Sequence, residues 1–326
     1  MAKNQSPPPV GGRRKKIVVI VGPTASGKSG LGIFLAKKFG GEIISADSRQ
    51  VYRGMDIGTG KVPKDIFQHT NDRIYIAKGI RHYLIDVADP KKVFTVSDFK
   101  KLGKKALDNI ASRSKVPFVV GGTGFYIDAL VYNLILPEVP PNKKLRAELA
   151  KHSTEQLFKM LKKKDPSRAK NIDKHNKRRI IRALEIILTT GKPVPKLANG
   201  YSLMASRYDI LWLGLKPKNL EKRIKERLDK RLRQGMIKEV KRLLSRGVSK
   251  KRLHNLGLEY RWASQYLNRE MGYKEMKEGL LRNIVKYSKR QMTWFKRNKE
   301  IHWVSPPAGG RKEAEKLIRK FLASHP

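Results

Sequence analysis

Apolar residues fall along this chain in two rhythms. Short runs rich in β-branched and aliphatic residues, at Ile17–Val21, Glu42–Ser45, His82–Val87, Pro117–Val120 and Tyr208–Leu215, are separated by longer amphipathic stretches. The runs have the length and composition of strands. A helix carrying Leu31, Ile33, Phe34 and Leu35 follows the first run, and another spans Ser97–Ile110. This alternation predicts βαβ units and a parallel sheet flanked by helices. From Pro137 to about Gly200 the strand pattern stops. There Ser153 and Gln156 form a capping box ahead of Leu157, Met160 and Leu161, while Ile180, Ile181, Leu184, Ile187 and Leu188 share a helical face that ends at Gly191. From Asn219 onward the chain is helical again, with Arg and Lys on its polar side. The expected architecture is α/β, with a mobile basic tail over 1–16, a core of 17–138 and 201–326, and a helical insertion over 139–200. Ordered chain is expected to begin at Ile17. Two tandem domains would give the same spacing. No internal repeat is evident.

Charge changes the picture. Among 326 residues, 73 Lys and Arg against 28 Asp and Glu give a net charge of +45, far more than a small phosphorylated substrate requires. A polyanionic partner is the expectation, the alternative being lysine-rich helices that only confer solubility. The absence of cysteine excludes disulfides, thiolate zinc sites and iron–sulfur clusters. No apolar run approaches the roughly 18 residues that span a bilayer, so a soluble, cytoplasmic protein without a membrane partner is expected. With no heptad or apolar surface stripe, a monomer without an obligate protein partner is the default.

Three motifs carry candidate chemistry. Gly22, Pro23, Thr24, Ala25, Ser26, Gly27, Lys28 and Ser29 follow the first strand run and match the phosphate-cradling pattern GxxxxGK[ST]. In that setting backbone N–H groups and a helix N-terminus surround phosphate oxygens, Lys28 reaches the outer phosphate, and the Ser29 hydroxyl can hold Mg²⁺. An ordinary glycine-rich turn would lack the strand and helix on either side. Asp47 follows the second run, with Ser48, Arg49, Gln50 and Tyr52 beside it. The carboxyl ends of parallel strands open onto one crevice, so Asp47 is expected near the bound phosphates. It could be a turn former, a Mg²⁺ partner or a base, and its polar neighbours could read a nucleobase. After the fourth run, Gly121, Gly122 and Thr123 stand where a hydrolytic ATPase commonly has an acidic residue, which favours group transfer. The glycines permit close approach of a ligand or another backbone, or a tight turn.

The ordered set GPTASGKS, ISADSRQVYRGMDIGT, HYLIDVADP, FTVSDF, PFVVGGTGFYIDAL, RRIIRALEIILTTGKP, RIKERLDKRLRQGMIKEV and KRQMTWF resembles the tRNA dimethylallyltransferase family, the bacterial tRNA isopentenyltransferases, from about Lys16 to Val304. The resemblance implies a P-loop NTPase-like core and transfer of a dimethylallyl group from dimethylallyl diphosphate to the exocyclic amine of the adenosine 3′ to the tRNA anticodon, forming isopentenyladenosine. It implies a catalytic set of Asp47 as base with Lys28, Arg227 and Thr123, Arg223 being the alternative arginine, and Mg²⁺ as cofactor. It also implies tRNA contacts at Asp47, Ser48, Arg49, Gln50, Thr123, Arg146, Asn176, Lys177, Arg178, Arg179, Ile180, His254 and Gly257, with the insertion over the anticodon stem-loop. Arg178, Arg179 and Arg182 read equally as the solvated face of a helix. Leu258 departs from the family, where an aromatic is common, as does Val285, where an arginine is common. Rival functions are prenylation of free AMP, a small-molecule kinase and a nonenzymatic RNA-binding protein.

Overall fold

The strand that leads into the phosphate loop lies inside the sheet, because every side chain from Ile17 to Val21 is fully buried. The computed structural model describes residues 14–65, 74–195, 208–305 and 309–324. Among these, seven strands, β1 (Lys15–Val21), β2 (Glu42–Ala46), β3 (Tyr75–Ala77), β4 (Ile80–Tyr83), β5 (Pro117–Gly121), β6 (Tyr208–Leu215) and β7 (His302–Val304), form one sheet in the order β3-β4-β2-β5-β1-β6-β7. All neighbours are parallel except the β3–β4 hairpin. On one face α1 (Lys28–Lys38) and α13 (Gly309–Ala323) bury Leu31, Ile33, Leu35 and Ile318 against Val18, Ile20 and Phe118. On the other, α2 (Val96–Ser112) and α3 (Gly124–Val131) pack on β2 and β5. This is the P-loop-like three-layer α/β fold. Helices α8 (Leu220–Arg233), α9 (Met236–Ser245), α10 (Lys250–Leu256), α11 (Leu258–Leu267) and α12 (Tyr273–Phe295) complete this unit with two further apolar clusters.

Residues 132–202 form a second compact unit. It contains α4 (Lys143–Lys151), α5 (Thr154–Lys164), α6 (Pro166–Lys170) and α7 (Lys177–Thr190). Helix α5 starts at the reciprocal Ser153–Gln156 capping box, and α7 stops where Gly191 takes φ 67°. Leu157, Leu161, Ile180, Ile181, Leu184 and Ile187 form its core. Leu188, expected on the same face, is exposed instead, because Ala183 and Ile187 complete the stripe.

The sheet departs from expectation at two strands and adds two more. β1 begins at Lys15, two residues before Ile17, because Lys16 has a structural partner. Its ammonium donates to the carbonyls of Phe321, Leu322 and Ser324 at 2.7, 2.9 and 2.6 Å, where α13 runs out of internal donors. Residues 1–13 of the expected tail lie outside the described residues. The strand expected over His82–Val87 is β4, which ends at Tyr83 because Leu84 and Asp86 take φ of 61° and 57°. The following segment bonds to another partner, Asp86 and Ala88 donating to the carbonyls of Gln50 and Val51. The buried Lys61 ammonium holds that crossing together through Asp56, Asp86 and the Tyr52 carbonyl. β3 and β7, each three residues long, were not expected at all.

Candidate functional site

The register of the sheet brings the three motifs to one edge. Val21, Gly121 and Ala46 are neighbours across β1, β5 and β2, so the phosphate loop, the Gly122–Thr123 turn and Asp47 leave the sheet side by side. The loop curls through Ala25 at φ 60° and Gly27 at φ 95°, where only glycine is unstrained, and the Ser26 amide donates to the Pro23 carbonyl at 3.2 Å. Arg223 on α8 braces it from outside, its Nε donating to the Ala25 carbonyl at 2.9 Å.

A cleft of about 550 Å³ opens at this edge, lined by the loop, Asp47, Gln50, Arg223, Arg227 and Gln291. Its electrostatics are those of an anion site. Burial and then the neighbouring Arg227 push Lys28 from 10.5 down to about 8, opposed by a smaller pull from Asp47 and helped least by Arg231. Arg227 is pushed down to about 10, first by burial and then by Arg231, opposed by Glu259 and Asp47. Cations gathered this closely destabilise one another until an anion joins them. No group of three or more His, Cys, Asp or Glu that could hold a metal exists among the described residues. The hard oxygens that line the cleft, the Ser29 hydroxyl and the Asp47 carboxylate, suit a Mg²⁺ ion that takes its other ligands from phosphate and water.

A second cleft of about 340 Å³ lies against the first, lined by Ser48, Arg49, Arg231, Gly257, Tyr287 and Arg290 among others. Thr24, Asp47, Thr59 and Tyr287 line both. Asp47 thus stands in a shared wall. Its Oδ1 accepts the amides of Arg49 at 2.8 Å and Gln50 at 3.3 Å, so it forms its own turn with one oxygen and keeps the other for a ligand. Burial raises the Tyr287 hydroxyl to about 12, with Asp47 the next contributor, so Tyr287 is a neutral donor at ordinary pH.

Thr123 borders neither cleft: its hydroxyl accepts the Ser48 amide at 3.0 Å and its own amide donates to the Ala46 carbonyl, which fixes the turn after β2. The adjacent glycines answer a question of crowding. A Cβ on Gly121 would stand 2.1 Å from the Ala46 carbonyl oxygen and one on Gly124 2.1 Å from the Trp294 ring, so what approaches closely is the protein itself. Gly257 lines the second cleft between α10 and α11, with Leu258 beside it, while His254 lies outside both clefts.

The remaining candidates belong to the second unit and are described within it. Arg146 is held by Glu185 through two bonds of 2.8 and 2.7 Å, and Arg182 joins the same carboxylate. The Asn176 side chain caps α7 by accepting the Arg179 amide, and Lys177 donates to the Ala150 carbonyl. Arg178 and Arg179 are exposed at the start of that helix. Ile180 is fully buried in the core, so its side chain is not available to a nucleic acid.

Sequence reasoning missed residues that shape the site from a distance. Gln291, Tyr287 and Arg231 reach the clefts from helices more than 150 residues beyond the loop; Gln291 and Arg231 lie within motifs that carry the resemblance, yet none of the three was assigned to the site. The buried Glu239 carboxylate accepts the amides of Asp56, Ile57 and Gly58 at 2.8, 2.7 and 3.0 Å and the Tyr260 hydroxyl at 2.9 Å, and so anchors the segment that carries Thr59.

The profile of the IPP transferase family matches residues 50–298. The tRNA dimethylallyltransferase of Pelotomaculum thermopropionicum is 40% identical over 291 residues, which is 88% of this chain and 89% of that protein. The crystal structure of the tRNA isopentenylpyrophosphate transferase of Bacillus halodurans superposes with a TM-score of 0.66 at 35% identity, covering 95% of this chain and 96% of that one. A eukaryotic dimethylallyltransferase acting on tRNA gives a TM-score of 0.75 at 25% identity over 96% of this chain and 80% of its own.

Proposed function

The chain belongs to the IPP transferase family, and from that premise we propose that it transfers the dimethylallyl group of dimethylallyl diphosphate to tRNA, at the exocyclic amine of the adenosine 3′ to the anticodon. The observation that carries the reading is the pair of clefts with Asp47 in their common wall, one ringed by cations and the other by groups able to hold a base. The donor's diphosphate lies on the loop amides with Lys28 and Arg227; the adenosine, splayed out of the anticodon loop, enters beside Ser48, Arg49 and Gly257.

The C1–O bond of the donor breaks as the bond from C1 to the amine nitrogen forms. Negative charge grows on the departing diphosphate, beside Lys28, Arg227 and the loop that line the cleft, so these donors stabilise the transition state more than the ground state. The amine is a poor nucleophile because its lone pair is shared with the ring, and Asp47 accepts the proton it loses through the carboxylate oxygen that the turn leaves free. Thr123 acts by fixing the Ser48 backbone, which holds the Asp47 turn in place. Ser29 would hold a Mg²⁺ ion, which would supply further charge neutralisation to the leaving group. Arg178 and Arg179, exposed in the second unit, are suited to RNA phosphates, and the net charge of +45 fits a polyanion held over many contacts. No helix among the described residues is long and apolar enough to cross a membrane, and we place the activity in the cytoplasm with tRNA.

Incubation with radiolabelled dimethylallyl diphosphate, unmodified tRNA and free AMP in parallel tests this. Label in tRNA alone is expected. Label in AMP selects a mononucleotide prenyltransferase, and label in neither refutes prenyl transfer.

A further inference from the structure

A phosphate loop normally offers its amides to the anion it binds. Here one of them is already taken. The Thr24 amide donates to Oε1 of Gln291 at 2.8 Å, and Nε2 of the same side chain donates to the Gly122 carbonyl at 2.8 Å. Gln291 is 6% exposed, so both bonds are made out of water, where an unpaired partner is costly. At neutral pH a carboxamide supplies the one acceptor and one donor that this arrangement needs, whereas an ionised carboxylate supplies acceptors alone. The space is shaped for it, since a Cβ on Gly122 would lie 2.4 Å from Nε2.

What this side chain joins gives it a function. Thr24 belongs to the donor loop and also stands in the wall common to both clefts, and Gly122 leads into the Thr123 turn that holds Ser48 behind Asp47. One helical turn before Gln291, on the same face of α12, Tyr287 lines both clefts. We propose that Gln291 is a positioning residue for the transfer reaction: it fixes the register between the donor loop and the acceptor wall, so that the donor carbon and the attacking amine meet in line. The inference rests on the prenyl-transfer reading of these clefts. The bridge bonds Thr24 and Gly122 and makes no hydrogen bond to Lys28 or Ser29, so anchoring of the diphosphate itself is not its task.

The test uses the full chain with unmodified tRNA and dimethylallyl diphosphate, and inorganic diphosphate as the binding probe. Gln291→Leu keeps approximate volume and removes both bonds. Its kcat should fall roughly 10–100-fold, while diphosphate affinity stays within about threefold of wild type. Gln291→Glu should show a defect of its own with a pH signature, because the protonated carboxyl restores one donor and one acceptor. The ratio of its rate to that of wild type should therefore rise as pH is lowered from 7 to 5. A ratio independent of pH, an unchanged kcat in Gln291→Leu, or a loss of diphosphate affinity as large as the loss of rate would overturn the positioning role. The last result would mean that Gln291 only keeps the loop folded. A wild-type protein that transfers no prenyl group would overturn the underlying reading and this inference with it, whereas an active wild type with any of the three results above overturns the inference alone.

Discussion

Lys28 offers a quantitative test of the anion site. Burial and the neighbouring arginines bring its ammonium down from 10.5 to about 8, while a bound diphosphate, pairing with it, restores the charged form. The sign follows from linkage. In the folded chain without donor, the charged form is penalised below pH 8, and the penalty fades as pH rises toward the unfolded value of 10.5. Donor binding removes the penalty by taking up a proton. A lysine titrating at about 8 is roughly 90% protonated at pH 7 and roughly 10% at pH 9, so donor affinity should fall about tenfold over that interval, with uptake of nearly one proton at pH 9. Arg227, at about 10, stays charged across the interval and contributes little to the slope. Calorimetry in buffers of different ionisation enthalpy counts the protons, and Lys28→Met serves as reference because the diphosphate itself also titrates. The wild-type minus variant difference should be close to zero at pH 6.5 and approach one proton at pH 9. Equal proton counts in the two proteins at pH 9 would refute the view that Lys28 sits desolvated among cations awaiting the donor.

Asp47→Asn preserves the oxygen that accepts the Arg49 and Gln50 amides and removes the base, so single-turnover transfer at saturating RNA should drop by about 10²–10⁴ with donor affinity intact; a wild-type rate would leave Asp47 as a turn former only. RNA affinity, measured by filter binding across salt concentrations, should decline with a log–log slope of roughly −0.7 per phosphate contact on single-stranded regions and steeper on duplex. A flat line would detach the +45 charge from RNA binding. Glu239→Gln trades three charge-assisted amide bonds for weaker ones and forces a donor into the cluster, which should lower stability by about 2 kcal/mol in urea unfolding. An unmoved midpoint would show that the segment from Asp56 to Gly58 holds itself.

Elements with local causes were legible in the sequence. β1, β2, β5 and β6 announce themselves through β-branched runs, the Ser153 and Gly191 caps through short-range chemistry, and the phosphate loop through its glycines and Lys28. Of the strand expected over His82–Val87 only the start is formed, as part of β4, because beyond Tyr83 the chain turns to where Lys61 draws together Asp56 and Asp86, 30 residues apart in sequence. Leu188 left the expected apolar face for a related reason, while Ile180 stayed in it, which removes its side chain from the implied RNA contacts. Periodicity gives a stripe, whereas the packing of neighbouring helices decides its edges. Within the site, Lys28 and Asp47 follow strands with strong local signals, but Gln291, Tyr287 and Glu239 look like ordinary polar positions on amphipathic helices until the chain has folded.

The place of β1 in the sheet has a consequence for biosynthesis. It is made before both of its partners, β5, completed at residue 121, and β6, completed only at residue 215. Until then one edge of the most apolar strand lies bare, a state that invites pairing with the wrong chain. Arg223, Arg227 and Gln291 arrive later still, as do the carbonyls that Lys16 grips. A nascent chain therefore carries its complete phosphate motif with no means of closing it until these later residues emerge, and chains halted before about residue 215 should be substrates for chaperones and proteases, unable to complete the cleft.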